Sequence, residues 1–174
     1  MHIHQELPMQ PTIHSLDQLT LLGLSFYGDP FAVSGDWDVE NEIGRLWQRL
    51  GHSLKRYPHL QSLANRTYEV HIYNPETEQK GHFEVFAGFL INDLDLAAPD
   101  LLVKVLPPAQ YACYTVQGEK IVTDWYAEIE SGLGELGYRR AGQYFFQVYD
   151  ERFKGMEHLA ESELDVYIPI IPLA

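Results

Sequence analysis

Glu69 and His71 stand two positions apart in residues 67–73 (TYEVHIY), a spacing that puts both side chains on one face of an extended strand. A carboxylate and an imidazole can transfer a proton, provided that the two are brought into contact. A second acid, Glu84, falls in the next apolar run, residues 82–91 (HFEVFAGFLI). Near the C-terminus the segment YFFQVY alternates in the same way. Phe145, Gln147 and Tyr149 share one side, while Tyr144, Phe146 and Val148 share the other. The chain holds eleven Tyr, eight Phe and three Trp, an excess that suits a cavity with flat apolar walls. Tyr68, Tyr73, Phe86, Tyr111 and Tyr149, with Trp47 and Trp125, are the candidate wall, and each could equally be plain core. Alternation sorts these residues onto faces but does not say which face is inward.

Other spacings carry less chemistry. His2 and His4 form a His-x-His pair, but two ligands near a chain end do not make a metal site. Cys113, the only cysteine, lacks a basic neighbour and a disulfide partner, so it reads as an inert buried thiol. Gly132-x-Gly134-x-x-Gly137 mimics a dinucleotide fingerprint, but it follows a helix when it should precede one. Asp150-Glu151-Arg152 reads as a turn with local ion pairs. No cofactor is expected.

Bulk properties narrow the classes further. With 12 basic and 25 acidic side chains the formal charge is −13, and no Lys/Arg cluster is present to bind phosphate backbones. Direct nucleic-acid binding is not expected. No apolar run approaches a membrane span, and MHIHQELPMQ lacks the apolar stretch of a signal peptide, so a cytoplasmic location is the simplest expectation. The acidic surface leaves room for a protein partner.

These side chains need elements to position them. Residues 18–27 (QLTLLGLSFY) read as a strand. Val39, Ile43, Leu46, Trp47, Leu50 and Leu54 recur at helical spacing, with Asp38, Glu40 and Glu42 at the acid-favouring N-terminus and Lys55 and Arg56 near the end. Residues 67–73 and 82–91 then form a hairpin around Asn74-Pro75. Residues 93–100 read as a joint between halves. Extended runs flank Pro107-Pro108, and a second helix carries Ile121, Val122, Trp125, Tyr126, Ile129 and Leu133. Strands at 144–149 and 163–171 close the chain. Strand, helix, strand, strand thus occurs twice, each helix with a central tryptophan, which predicts an α+β fold of two related halves. Residues 1–17 are polar and read as a flexible lead-in, leaving 18–174 as the domain.

The order and spacing of several short pieces resemble the gyrase-inhibitor-like effector-binding family, whose domain also ends AraC-type and MerR-type regulators. They include Ile43-x-x-Leu46-Trp47, His82-Phe83-Glu84-Val85-Phe86-Ala87-Gly88 and Leu106-Pro107-Pro108-Ala109-x-Tyr111-Ala112. Gly118, Trp125, Gly137-Tyr138, Tyr149-Asp150-x-Arg152-Phe153 and Val166-x-Ile168-Pro169-Ile170 continue the series. The resemblance implies two pseudo-twofold related β-α-β-β halves in a curved antiparallel sheet, helices on one face and a central ligand groove. It implies a stand-alone small-molecule binder, since no helix-turn-helix fits before the first strand. Family members often carry a pocket glutamate where Gln147 stands, a tyrosine at Val85 and a glutamate at Leu90. Those departures point away from cations and from hydrolysis, toward a neutral or zwitterionic aromatic ligand. The expected binding residues are Trp47, Tyr68, Glu69, Tyr73, Glu84, Phe86, Tyr111, Trp125, Phe145, Gln147 and Tyr149. Hydrolysis of strained electrophiles and binding of a protein such as gyrase are the competing readings.

Overall fold

Strands whose apolar residues alternate with polar ones must be covered on the apolar side, and here two helices cover one antiparallel sheet. The computed structural model describes residues 9–35 and 40–174, so His2, His4, Asp38 and Val39 lie outside the described residues. In chain order the first elements are β1 (Thr12–Leu16), β2 (Leu19–Gly28), α1 (Glu42–Arg56), β3 (Thr67–Ile72), α2 (Thr77–Lys80) and β4 (Phe83–Leu90). After them come β5 (Leu102–Leu106), β6 (Ala109–Gln117), α3 (Trp125–Glu135), β7 (Tyr138–Arg140), β8 (Tyr144–Tyr149) and β9 (Glu163–Pro172). No helix among the described residues is long and apolar enough to cross a membrane.

The nine strands form one curved sheet in the order β1-β6-β9-β8-β3-β4-β2-β5, with β7 beside β9. Within it β2-α1-β3-β4 and β6-α3-β8-β9 are the two β-α-β-β halves. Their inner strands β3 and β8 meet edge to edge, so a pseudo-twofold runs between them. The register sets Thr67 opposite Tyr149, Glu69 opposite Gln147 and His71 opposite Phe145. Among the described residues that ladder alone joins the halves.

Each helix forms where its sequence allows and buries the face its spacing dictates. Asn41 caps α1, its side chain accepting from the Gly44 amide at 2.9 Å, while Lys55 and Arg56 complement the C-terminal end. Leu46 and Leu50 then pack on Leu22, Val85 and Phe89. On the second half Trp125, Ile129 and Leu133 of α3 pack on Ala112, Val116, Val166 and Ile168. The opposite sheet face has its own aromatic cluster, including Tyr68, Phe86, Tyr111, Phe146 and Tyr167. Phe146 and Tyr167 stack there with centroids 4.8 Å apart.

Three boundaries differ from the sequence reading. Residues 12–16 of the lead-in are strand β1, paired with β6 so that Thr12 faces Cys113 and Leu16 faces Ala109. TIHSL is too polar to signal a strand because an edge strand is held by backbone hydrogen bonds more than by burial. Residues 93–100 do not separate the halves. Ala98 and Leu101 are buried in the core under α1, and β5 extends that half beyond β2, so the crossing occurs at Pro107-Pro108. The second helix is also split. Gly118–Val122 is a 3-10 turn, and extended Thr123, whose Oγ1 donates to the Lys120 carbonyl, separates it from α3. Ile121 remains fully buried across that break.

Gly23 and Gly88 face each other across β2 and β4. A Cβ on Gly88 would stand 2.3 Å from the Leu22 carbonyl oxygen, and one on Gly23 would stand 2.0 Å from that of Ala87. Only glycine permits this approach of two backbones. Gly88→Ala is expected to destabilise the fold by about 1–3 kcal/mol, as for an overpacked core, measured by the midpoint of urea unfolding. An unchanged midpoint would show that the strands can part without cost.

Candidate functional site

The β3–β8 ladder turns Thr67, Glu69 and His71 toward the helices, and Gln147 and Tyr149 beside them. These five form the floor of a cavity of about 760 Å³. Helix α1 supplies one wall through Ile43, Gly44, Trp47 and Gln48, with its cap Asn41 above them. Phe31, from the loop after β2, and Phe153 and Met156, from the segment after β8, complete the rim. A volume in the range of about 300–1,000 Å³ and mostly apolar walls are the usual properties of a small-molecule site.

Glu69 is the charged centre of this space, although only 3% exposed. Burying a carboxylate is costly unless it is hydrogen-bonded. Both of its oxygens are served. The Trp47 indole N–H donates to Oε2 at 2.6 Å, and His71 Nε2 lies 2.7 Å from Oε1. A carboxylate only accepts, so Nε2 carries the hydrogen in that bond. The Glu/His contact that spacing alone left open is therefore made. Behind it, Phe145 and Phe83 hold the imidazole between rings at centroid distances of 4.8 and 5.4 Å.

Tyr149 closes the other end of the floor. Its hydroxyl donates to Gln147 Oε1 at 2.6 Å, and its ring meets Trp47 edge-on at 5.5 Å. Burial, and then the negative charge of Glu69, push the phenol well above its ordinary value, so it stays protonated. Phe153 stands edge-on to Tyr149 at 4.9 Å. Its loop is pinned by Arg152, which bonds Asp150 at 2.8 Å and Asp165 at 2.6 Å. The guanidinium in turn holds the Asp150 carboxyl below the usual range. This is the turn with ion pairs expected at 150–152, and it positions an aromatic wall.

Trp47, Glu69, Gln147 and Tyr149 of the expected binding residues line the cavity. Phe145 and Tyr73 share the helix-side face but are packed: Phe145 is in the core under α3, and Tyr73 sits against Phe83 at 5.2 Å. Trp125 is core, its indole N–H donating to the Ile121 carbonyl. Tyr68, Phe86 and Tyr111 belong to the cluster on the opposite face, where the Tyr111 and Tyr144 hydroxyls lie 2.8 Å apart. Glu84 also leaves the site: it pairs with Lys104 at 2.6 Å and accepts from Ser25 at 2.9 Å. Lining residues that the sequence reading did not propose for binding are Phe31, Asn41, Ile43, Gly44, Gln48, Thr67, Phe153 and Met156. Of these, Thr67 was within reach, being two positions before Glu69 on the same strand face. Among the described residues no group of three His, Cys, Asp or Glu is placed to hold a metal ion. Cys113 is buried, and burial raises its thiol.

Two outcomes follow from this geometry. Trp47→Phe keeps the ring but leaves Glu69 Oε2 without its donor, and should cost about 1–3 kcal/mol of unfolding free energy in a urea titration. A smaller loss would show that Oε2 finds another partner. On the alkaline side, the unfolded chain releases the Tyr149 proton near pH 10 while the folded chain keeps it. Stability should therefore fall as pH rises above about 10, and less so in Tyr149→Phe. Unfolding followed by the phenolate absorbance checks the sign.

Residues 12–170 match the family described as Cass2, integron-associated effector binding protein. No curated protein sequence matches the chain significantly. Among solved structures, SAV2435 bound to tetraphenylphosphonium is 15% identical over 94% of both chains, with a TM-score of 0.60. The integron cassette protein from the mobile metagenome of Vibrio cholerae is 17% identical over 93% of this chain and 96% of its own, at 0.60. EcmrR in complex with DNA reaches 0.71 at 13% identity, over 98% of this chain and 60% of its own. At these identities the structural likeness speaks for the fold, whereas the family match spans nearly the whole sequence. The chain belongs to the family of integron-associated effector binding proteins.

Proposed function

We propose that the cavity binds a small aromatic cation, and that the carboxylate of Glu69 recognises its charge. The observation that carries this reading is a buried carboxylate, fixed by Trp47 and His71, in an otherwise uncharged aromatic-walled cavity. In a poorly solvated space, an unmatched carboxylate attracts an opposite charge more strongly than it would in water. Aromatic faces from Trp47, Tyr149 and Phe153 add cation–π and apolar contact. The absence of a carboxylate at Gln147 pointed toward neutral or zwitterionic ligands. The register supports a cation instead, because Glu69 lies directly across the ladder from Gln147 and brings a carboxylate to the same floor. SAV2435, a structural neighbour, was solved with a cation of this class, which supports the reading. Breadth toward several drugs and service to a transcription regulator or other protein partner belong to the same proposal.

A hydrolytic reading has one observation in its favour, the contact of His71 with Glu69 beside the protonated phenol of Tyr149. Both Glu69 oxygens are already engaged, however, which leaves the carboxylate better placed to hold charge than to attack. An epoxide such as styrene oxide should therefore not be turned over above background.

The proposal is tested by titrating tetraphenylphosphonium and the neutral triphenylphosphine oxide against the protein, followed by tryptophan fluorescence. The cation should bind more tightly, and Glu69→Gln should weaken it by at least about tenfold while leaving the oxide little changed. Equal affinities in the unaltered protein, or an unaffected cation in Glu69→Gln, would overturn the reading.

A further inference from the structure

The charge inside the cavity is decided by two side chains. Among the described lining residues Glu69 is the one carboxylate and His71 the one imidazole, and neither Lys nor Arg is present. The two touch at 2.7 Å, with His71 8% and Glu69 3% exposed, so neither is screened by bulk water. Groups facing His71 from the neighbouring elements are uncharged. β8 offers the Phe145 ring, with Gln147 and the protonated phenol of Tyr149 further along. β4 offers the Phe83 ring, and α1 offers Trp47, whose N–H is directed to Glu69. Just after the strand that carries His71, the Tyr73 phenol is pushed up to about 12 by burial. Beyond it, Arg140 is matched by Glu130 at 2.9 Å.

We infer that His71 sets the ligand charge the cavity accepts: with a neutral imidazole the Glu69–His71 pair is monoanionic and takes a cation, and with an imidazolium it is neutral and does not. The inference rests on the cation reading above and adds its regulation. Nε2 donates to Oε1 in both protonation states, so the change needs no movement of either side chain. The second proton goes on Nδ1, and only the net charge alters. Bound cation and bound proton then oppose each other, and by linkage each weakens the other equally. Affinity for a permanent cation should fall as pH drops, by at most about tenfold per pH unit for one linked proton. A neutral aromatic ligand should not show the fall.

The experiment measures tetraphenylphosphonium and triphenylphosphine oxide binding by calorimetry from about pH 5.5 to about pH 8.5. It uses the unaltered protein and His71→Gln, each at two ionic strengths. Repeating the acidic points in two buffers of different ionisation heat counts the protons released, and this needs no variant to fold. Expected are a pH-dependent cation affinity, proton release approaching one per cation at the acid end, and a flat profile in His71→Gln. A pH-independent cation affinity in the unaltered protein would overturn the inference while leaving the cation reading intact. The same fall in His71→Gln would also overturn it, assigning the proton to Glu69 or to the protein's general charge. If the cation and the oxide bind alike at the alkaline end, the cation reading itself fails and takes the inference with it.

Discussion

The pairing of β3 with β8 is the constraint on which the rest of the molecule depends. Among the described residues it is the only ladder that joins the two halves, and it sets Glu69 beside Gln147 on the face that the helices cover. Once the sheet closes in that register, a carboxylate is taken out of water, with a penalty of several kcal/mol unless partners replace the lost solvation. Those partners come from different parts of the chain: Trp47 from α1 and His71 from the same strand. The cap at Asn41 fixes where α1 begins and hence where its indole points. The Arg152 clamp fixes Phe153 against Tyr149 in the same manner on the other side. What looks like a loose collection of aromatic residues is held by a few directional bonds around one charge.

The sequence carried the periodicities, and these were enough for the two-half architecture. Strand alternation at 144–149 and 67–73 placed Gln147 with Tyr149 and Glu69 with His71, as the structure has them. It could not choose the inward face, because this sheet buries aromatic side chains on both faces. Tyr68, Phe86 and Tyr111 are as aromatic as Trp47, yet they fill the opposite cluster. Glu84 illustrates the same limit. The register of β4 puts it opposite Ile72, one step out of phase with His71 and Val85, and so on the far face beside Lys104. Phe31 and Met156 were invisible for another reason. Loop residues reach the cavity through tertiary geometry, and no period announces them. Edge strand β1 was missed because its stability comes from backbone bonding, which a hydropathy pattern does not record.

The Gln147 position shows how a pairing register can alter a functional inference. Loss of a carboxylate from one strand was grounds for expecting a neutral or zwitterionic ligand. The structure places Glu69 directly across the ladder, so the cavity keeps a negative charge donated by the other half. Both inner strands supply side chains to one floor. On the proposed reading, charge recognition then belongs to the pair of positions more than to either one.

That idea can be tested by moving the charge across the ladder. The measurement is the ratio of tetraphenylphosphonium to triphenylphosphine oxide affinity in the exchanged variant Glu69→Gln with Gln147→Glu, against Glu69→Gln alone. The account predicts that the exchange restores most of the preference for the cation that the single substitution removes. If the exchanged variant folds and binds the oxide but stays indifferent to the cation, position 147 cannot stand in for position 69 and the shared-floor account is contradicted.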